Sequence, residues 1–296
     1  MAGQLRAIKR RIGSVRSTQK ITRAMELIAS SRIIKAKQAV DAARPYAEEM
    51  RRMMASVAQS AGSIDSPLLK ERDEVRRVAE VVITSDRGLA GAYNTSVIRA
   101  AERDMRAHGK ETRLFSVGKK GLSYFKFRGY DISQSWQGFS DRPLIDDARQ
   151  VADAVVEAYL SGEVDQVRLG FTRFESMLRQ VPVVVQLLPM PQAEFQQDDD
   201  RSSSGPSASY EFEPSPEDIL DLLLPRYVEG TILQAMLEAA ASEHAARRRA
   251  MKAATDNADD LIQSLNRVYN QARQAEITTE IMEVIGGAEA LSDAGN

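Results

Sequence analysis

Cysteine is absent from the 296 residues, which excludes a disulfide, a thiolate nucleophile and any cysteine-based zinc or iron–sulfur site, and fits a cytosolic protein. Histidine is nearly absent. His108 and His244 are the whole supply and fall in different predicted helices, so a zinc centre or a histidine-based triad has little to build on. No apolar run approaches the roughly 20 residues needed to span a bilayer. The longest, residues 181–190, is interrupted by Gln186 and reads as a strand. Acidic residues are missing from the first 37 positions apart from Glu26, against ten Lys and Arg: Arg6, Lys9, Arg10, Arg11, Arg16, Lys20, Arg23, Arg32, Lys35 and Lys37. The whole chain carries only −2, so this basic arm is a local feature suited to an acidic partner, a nucleic acid or an anionic membrane surface. Nucleic acid is disfavoured by the lack of interleaved aromatics and of any helix-turn-helix or RNA-recognition signature. A transit peptide is disfavoured because the apolar pattern runs past residue 30 without a break.

Proline is missing from residues 226–285, and glycine occurs there once, at Gly230. An uninterrupted helix of that length measures roughly 90 Å, against a radius of gyration of roughly 19 Å for a compact chain of this size. A projecting rod is the expectation. Arg247, Met251, Ala254, Ala258, Leu261, Leu265, Val268, Ala272, Ala275, Thr279, Met282 and Gly286 follow a 4, 3 alternation, the spacing of a coiled-coil seam. The small residues in it predict close helix approach. At the other terminus Leu5, Ile8, Ile12 and Val15 follow the same rule, and the stripe is expected to resume in a shifted register at Ile21, Met25 and Ile28 before Ile33 and Ala36. The two segments are natural antiparallel partners.

Between them the periodicity changes. Short β-rich runs at 78–84, 113–117, 130–135, 166–174 and 181–188 alternate with helical patterns at 95–107, 119–127 and 146–160. Alternation of this kind predicts an α/β layer with a largely parallel sheet, closed by a hairpin where the last two strands follow each other directly. Residues 1–61 thus form an N-terminal coiled-coil helix, 76–190 an α/β central domain, 191–216 a flexible acidic and serine-rich loop, and 217–296 a C-terminal coiled-coil helix. The three aspartates at 198–200 lack the spacing and closing glutamate of a calcium loop and read as solvated. Ser215 and Pro216 make a good helix start, as N-cap and first helical residue.

One segment looks like chemistry: Ser85-Asp86-Arg87-Gly88-Leu89-Ala90-Gly91-Ala92-Tyr93-Asn94. It follows a strand and precedes a helix, where backbone N–H groups can meet a phosphate, yet it has neither the three-glycine fingerprint nor a P-loop lysine. The favoured reading is a structural turn, with Gly88 and Gly91 supplying unusual backbone angles and Asn94 capping the helix. Carboxylate pairs such as Asp146/Asp147 and Asp259/Asp260 read as solvated helix faces, and no catalytic centre is nominated.

The sequence at 277–290, Ile-Thr-Thr-Glu-Ile-Met-Glu-Val-Ile-Gly-Gly-Ala-Glu-Ala, resembles the C-terminal signature of the bacterial F-type ATP synthase gamma subunit family. So do residues 251–258 and 269–274, the N-terminal 12–15 and 18–26, and the turn at 84–89. The resemblance covers essentially the whole chain. It implies an α/β protein in which a long antiparallel coiled coil of N- and C-terminal helices joins a Rossmann-like central domain. It implies a non-catalytic rotor shaft that couples c-ring rotation to ATP synthesis and hydrolysis at the beta-subunit sites of a proton-translocating complex. Implied partners are three alpha and three beta subunits, the epsilon subunit and the c-ring, with no nucleic acid. No cofactor is expected on this chain, ATP, ADP and Mg2+ being held by the alpha and beta subunits. The implied location is the cytoplasmic side of the bacterial inner membrane, peripheral to it through the complex.

By matching motifs, Lys20, Arg23, Met25, Arg247, Arg273, Gln274, Thr278 and Glu280 fall at positions that resemble the family's contacts with the beta subunits. Tyr210, Phe212 and Glu213 resemble its c-ring contact, and Asp86, Gly88 and Gly91 its central-domain turn. Gly286 and Gly287 lie within the signature, so the helix is expected to continue through them. Ala90 stands where many members have cysteine, and the chloroplast regulatory cysteine pair is missing, which excludes redox gating of that kind. Two other classes compete: an α/β enzyme holding a phosphorylated ligand at the 85–94 turn, and a nucleic-acid-binding adaptor using the basic arm.

Overall fold

The computed structural model describes residues 2–61, 66–191 and 216–293. They divide into two compact units. One is formed by residues 1–28 with 248–296, the other by residues 29–247. Two long helices contribute to both, α1 (Ala2–Ala61) and α5 (Pro216–Asp293). As expected, α5 begins at Pro216 and runs through Gly286 and Gly287; the proposed cap Ser215 lies outside the described residues.

Within the unit of residues 29–247 the elements are β1 (Arg77–Ile83), α2 (Tyr93–His108), β2 (Glu111–Val117), α3 (Lys119–Phe127), β3 (Ile132–Trp136), α4 (Ile145–Leu160), β4 (Gln166–Phe174) and β5 (Gln180–Leu188). Every strand and helix read from the pattern is present, with ends displaced by at most two residues. The sheet order is β3-β2-β1-β4-β5. All pairs are parallel except β4–β5, which is the expected hairpin. β1 is central and covered on both faces, hence its near-continuous apolar run. Ala79, Val81 and Ile83 join a core with Val151, Val155 and Tyr159 of α4 and with the 50–57 and 220–239 stretches of α1 and α5. Val82 faces the other way, into a smaller cluster with Val97, Ile98, Ala101, Met105, Leu114 and Phe125. The one interruption of the β1 run is Glu80, on that second face and fully buried.

The two-helix unit is an antiparallel pair, as Thr22–Thr255 and Gln19–Asp259 contacts require. Its seam differs from the expected one in both helices. In α1 the inward positions are Leu5, Ile8, Ile12, Val15, Gln19, Thr22 and Glu26, an unbroken 3, 4 alternation with no shift of register. Ile21 and Ile28, expected in the stripe, are 60% and 54% exposed. In α5 the inward positions are Met251, Thr255, Ala258, Ile262, Leu265, Tyr269, Ala272 and Glu276. Every second expected seam residue was therefore one position early: Ala254 is only half-buried, and Leu261, Val268 and Ala275 are exposed, as are Thr279, Met282 and Gly286. Arg247 is buried, but in the other unit.

The cause is geometric. Once two helices lock at 3.5 residues per turn, the facing positions follow from the repeat rather than from local hydrophobicity. A polar residue is tolerated there if it finds a partner, and Thr22 Oγ1 lies 2.7 Å from Thr255 Oγ1. Each hydroxyl also reaches its own helix backbone, Thr22 to the Gln19 carbonyl at 3.0 Å and Thr255 to the Met251 carbonyl at 2.9 Å. The Gln19 amide donates to Asp259.

Candidate coupling surface and central turn

Stepped residue for residue from the Thr22–Thr255 pair, the antiparallel register sets Ile12 against Leu265 and Leu5 against Ala272. Beyond residue 276, no described residue of α1 stands opposite α5 in this register. Every residue from 277 to 286 is exposed, among them Ile277, Ile281, Met282, Val284 and Ile285. These apolar side chains gather on one broad face of the helix end, with Thr279, Glu280, Glu283 and Gly286 on the other, a pattern that fits a face covered by another molecule.

The residues singled out for coupling fall into two groups. Lys20, Arg23 and Met25 of α1, and Arg273, Gln274, Thr278 and Glu280 of α5, belong to the two-helix unit. All are exposed except Met25, which is half-buried. Arg23 pairs with Glu26 at 3.1 Å, a surface ion pair of small energetic worth. Thr278 Oγ1 donates to the Gln274 carbonyl at 2.9 Å. Arg247 is different. Its guanidinium is buried, ion-paired with Glu243 at 2.5 Å and donating to the Gly88 carbonyl at 3.2 Å.

Glu243, 1% exposed, was not anticipated from the sequence, although Glu243 and Arg247 stand in the i, i+4 spacing of a helical ion pair. Burial pushes its carboxyl up to about 7 against the pull of Arg247. His244 is buried beside it; burial lowers its pKa while Asp141 opposes the shift. Asp141 is ion-paired with Arg32 and lies 3.7 Å from Arg87. The knot ties α5 and α1 to the central turn within the 29–247 unit.

The turn itself is internally satisfied. Asp86 accepts from the backbone N–H groups of Lys119 (3.0 Å), Gly138 (2.9 Å) and Ser140 (3.2 Å), so one carboxylate holds three loop segments together. Its own N–H donates to Ser140 Oγ at 2.9 Å, and the Ser85 N–H to Asn94 Oδ1 at 2.9 Å. These bonds commit the N–H groups of Ser85 and Asp86 within the turn. Asn94 does not cap α2: the helix starts at Tyr93 with Ala92 as an N-cap lacking a side-chain bond. Its carboxamide folds back on Ser85, also donating to Ser85 Oγ at 2.8 Å, because it lies two residues past the cap position at Ala92.

The expectation for the two glycines holds for one of them. Gly91 has a positive φ of 56°, Gly88 does not, and the left-handed angle beside Gly88 is taken by Leu89 at φ 62°, a conformation that costs a non-glycine residue about 1–2 kcal/mol. The strictest glycine requirement lies elsewhere: a Cβ on Gly118 would stand 2.2 Å from the Thr84 carbonyl oxygen at the end of β1. Sequence reasoning missed it because the partner is in another strand. Tyr210, Phe212 and Glu213 lie outside the described residues.

A family profile described as ATP synthase matches residues 4–291. The chain is 52% identical to the ATP synthase gamma chain of Frankia casuarinae over 99% of both chains, and 48% identical to that of Mycolicibacterium vanbaalenii over 99% of this chain and 100% of the other. In fold it is similar to a chain of the Euglena gracilis mitochondrial ATP synthase (OSCP/F1/c-ring, rotational state 3), with a TM-score of 0.69 and 19% identity over 100% of this chain and 97% of that one. A chain of the Tetrahymena thermophila mitochondrial ATP synthase central stalk and c-ring gives a TM-score of 0.59 and 24% identity, over 79% and 99%.

Proposed function

The chain belongs to the ATP synthase family, its full-length relatives being gamma chains, and we propose from that premise that it is the central rotor shaft of a proton-translocating F-type ATP synthase. The observation that carries the reading is the exposed apolar face at the end of α5, beyond the described part of its coiled-coil partner, within a family of known assembly role. Burial of apolar surface is the main favourable term in association, at about 25 cal/mol per Å2, and a ring of three alpha and three beta subunits supplies the cover.

The shaft does no chemistry. An antiparallel pair of unlike helices has a different side at every angle, so each orientation makes different contacts with three otherwise equivalent beta subunits. A ligand affinity that differs between those orientations is shifted by rotation, which is coupling through differential contacts. Lys20, Arg23, Met25, Arg273, Gln274, Thr278 and Glu280 offer exposed or half-exposed groups for such contacts. Arg247 serves indirectly, holding α5 to the turn at Gly88. ATP, ADP and Mg2+ are bound by the alpha and beta subunits. Epsilon and the c-ring engage the α/β unit and the segment containing Tyr210, Phe212 and Glu213. The complex places the chain at the cytoplasmic face of the bacterial inner membrane, and no helix among the described residues is long and apolar enough to cross a membrane.

The test is reconstitution with alpha and beta subunits. The chain is expected to co-purify with them as an ATP-hydrolysing particle, and deletion of residues 277–296 is expected to weaken torque-dependent coupling more than assembly. Failure of any ATPase to form around the full chain overturns the proposal.

A further inference from the structure

We propose that Glu80, Asp104 and His108 bind a divalent transition-metal cation of the zinc class on the α2-covered face of the sheet. One ligand atom from each lies within 4.8 Å of the others. Asp104 and His108 are four apart on α2 and share a helix face; Glu80 reaches them from the centre of β1. Metal–ligand bonds of about 2.0–2.2 Å require only that these side chains draw together. The proposal is independent of the shaft reading.

The second observation is what the site leaves unsatisfied. Glu80 is fully buried, and neither carboxylate oxygen has a hydrogen-bond partner. His108 Nε2 is likewise buried without one. Buried polar groups are almost always paired, so each exception calls for a cause. Arg168 is directly opposite Glu80 in the parallel register but is committed to Asp104, with Nε 2.5 Å from Oδ2 and Nη2 donating to Oδ1 at 2.8 Å. A proton on Glu80 answers one oxygen and leaves the other and the imidazole unanswered. A cation answers all three.

The donor set selects the ion. Imidazole with two carboxylates suits Zn2+ and its neighbours, whereas Mg2+ keeps its waters and seldom takes nitrogen. His108 is half-exposed, which gives an entry path and room for a water as fourth ligand. Its Nδ1 now accepts from the exposed Lys110 N–H at 3.1 Å. Metallation at Nε2 moves the proton to Nδ1 and hands Lys110 N–H to water. Arg168 contacts both oxygens of Asp104 and offsets part of its charge, tempering affinity. Burial, aided by Asp104, pushes the Glu80 carboxyl up to about 8, so binding releases a proton and strengthens as pH rises.

Chelator-treated full-length chain at pH 8 would be titrated with Co2+ and then Zn2+. One Co2+ per chain should give a visible absorption band that Zn2+ removes, and Zn2+ should raise Tm. With only two histidines in the chain, imidazole NMR reads the location: His108 resonances shift and those of His244 do not. Glu80→Gln and His108→Asn should each abolish the band while keeping the far-UV circular dichroism of the parent. Absence of the band and of the Tm shift overturns the proposal, as does a band that survives in Glu80→Gln. Should a variant fail to fold, the histidine resonances of the unmodified chain still decide, and movement of His244 instead of His108 counts against the site.

Discussion

In the unit of residues 29–247, six consecutive residues of β1, 78–83, are buried on both faces of a sheet. In the two-helix unit, α5 has three buried residues after position 250 among those described, Met251, Thr255 and Ala258, and one of them is polar. The first region builds its own core, although Phe127, Leu178 and Leu222 stay exposed. The second leaves Ile21, Leu27 and Ile28 of α1, and Ile277, Ile281, Met282, Val284 and Ile285 of α5, facing outward, and its seam intersperses hydroxyl and amide contacts among apolar positions such as Ile12 and Leu265. Stability is concentrated in the α/β unit and unspent binding surface in the coil, the distribution a shaft turning inside a sleeve requires.

The largest expected effect breaks the packed side. Phe125→Ala removes a fully buried ring and should cost about 3–5 kcal/mol, read by urea unfolding of the α/β unit. Next, Leu265→Pro interrupts α5 at a half-buried seam position and should cost about 3 kcal/mol; hydrogen exchange should show coil amides losing protection while β1 amides keep theirs. Normal proton-coupled ATP synthesis in that variant would count against a shaft.

A pH series separates the units further. The Glu80 carboxyl is raised to about 8 from 4.5, chiefly by burial, so the folded state holds a proton that the unfolded state has released. Stability therefore falls as pH rises through this window. His108 and His244, both lowered from 6.5 by burial, are still partly protonated when unfolded near pH 6.5 and add a small slope of opposite sign that fades as pH rises further. In metal-free buffer a net loss of about 1–2 kcal/mol is expected between pH 6.5 and 8; Glu243, raised to about 7, contributes in the same sense, so Glu80→Gln should reduce the slope and leave the Glu243 part. The smallest effect belongs to the coil: Thr22→Val with Thr255→Val removes both partners of one hydrogen bond and should change stability by less than about 1 kcal/mol. Its signature should instead be a loss of unique register, read by cross-linking at neighbouring seam positions.

How far the sequence reaches differs between the regions for a physical reason. Strand and helix periods in 78–188 were legible because each element shows its own period locally, and the hairpin followed from two strands without a helix between them. The seam was half legible: Met251, Ala258, Leu265 and Ala272 were placed, but Ala254, Leu261, Val268 and Ala275 were chosen over their inward neighbours. Hydrophobicity alone does not reveal that Thr22 and Thr255 satisfy each other. Of the turn, Asp86 and Gly91 were recognised, whereas the role of Asn94, the left-handed Leu89 and the demand on Gly118 depend on atoms from distant segments.

By itself the sequence determined the element types, the antiparallel pairing of the termini and, through motifs at both ends and the middle, the family, because periodicity and short motifs are local properties of the chain. Only the tertiary structure decided which side chains face inward along α1 and α5, that Arg247 is spent on Glu243 and Gly88, and that Glu80 meets Asp104 and His108. Those facts are contacts between residues far apart in sequence, and burial is what gives them their energy.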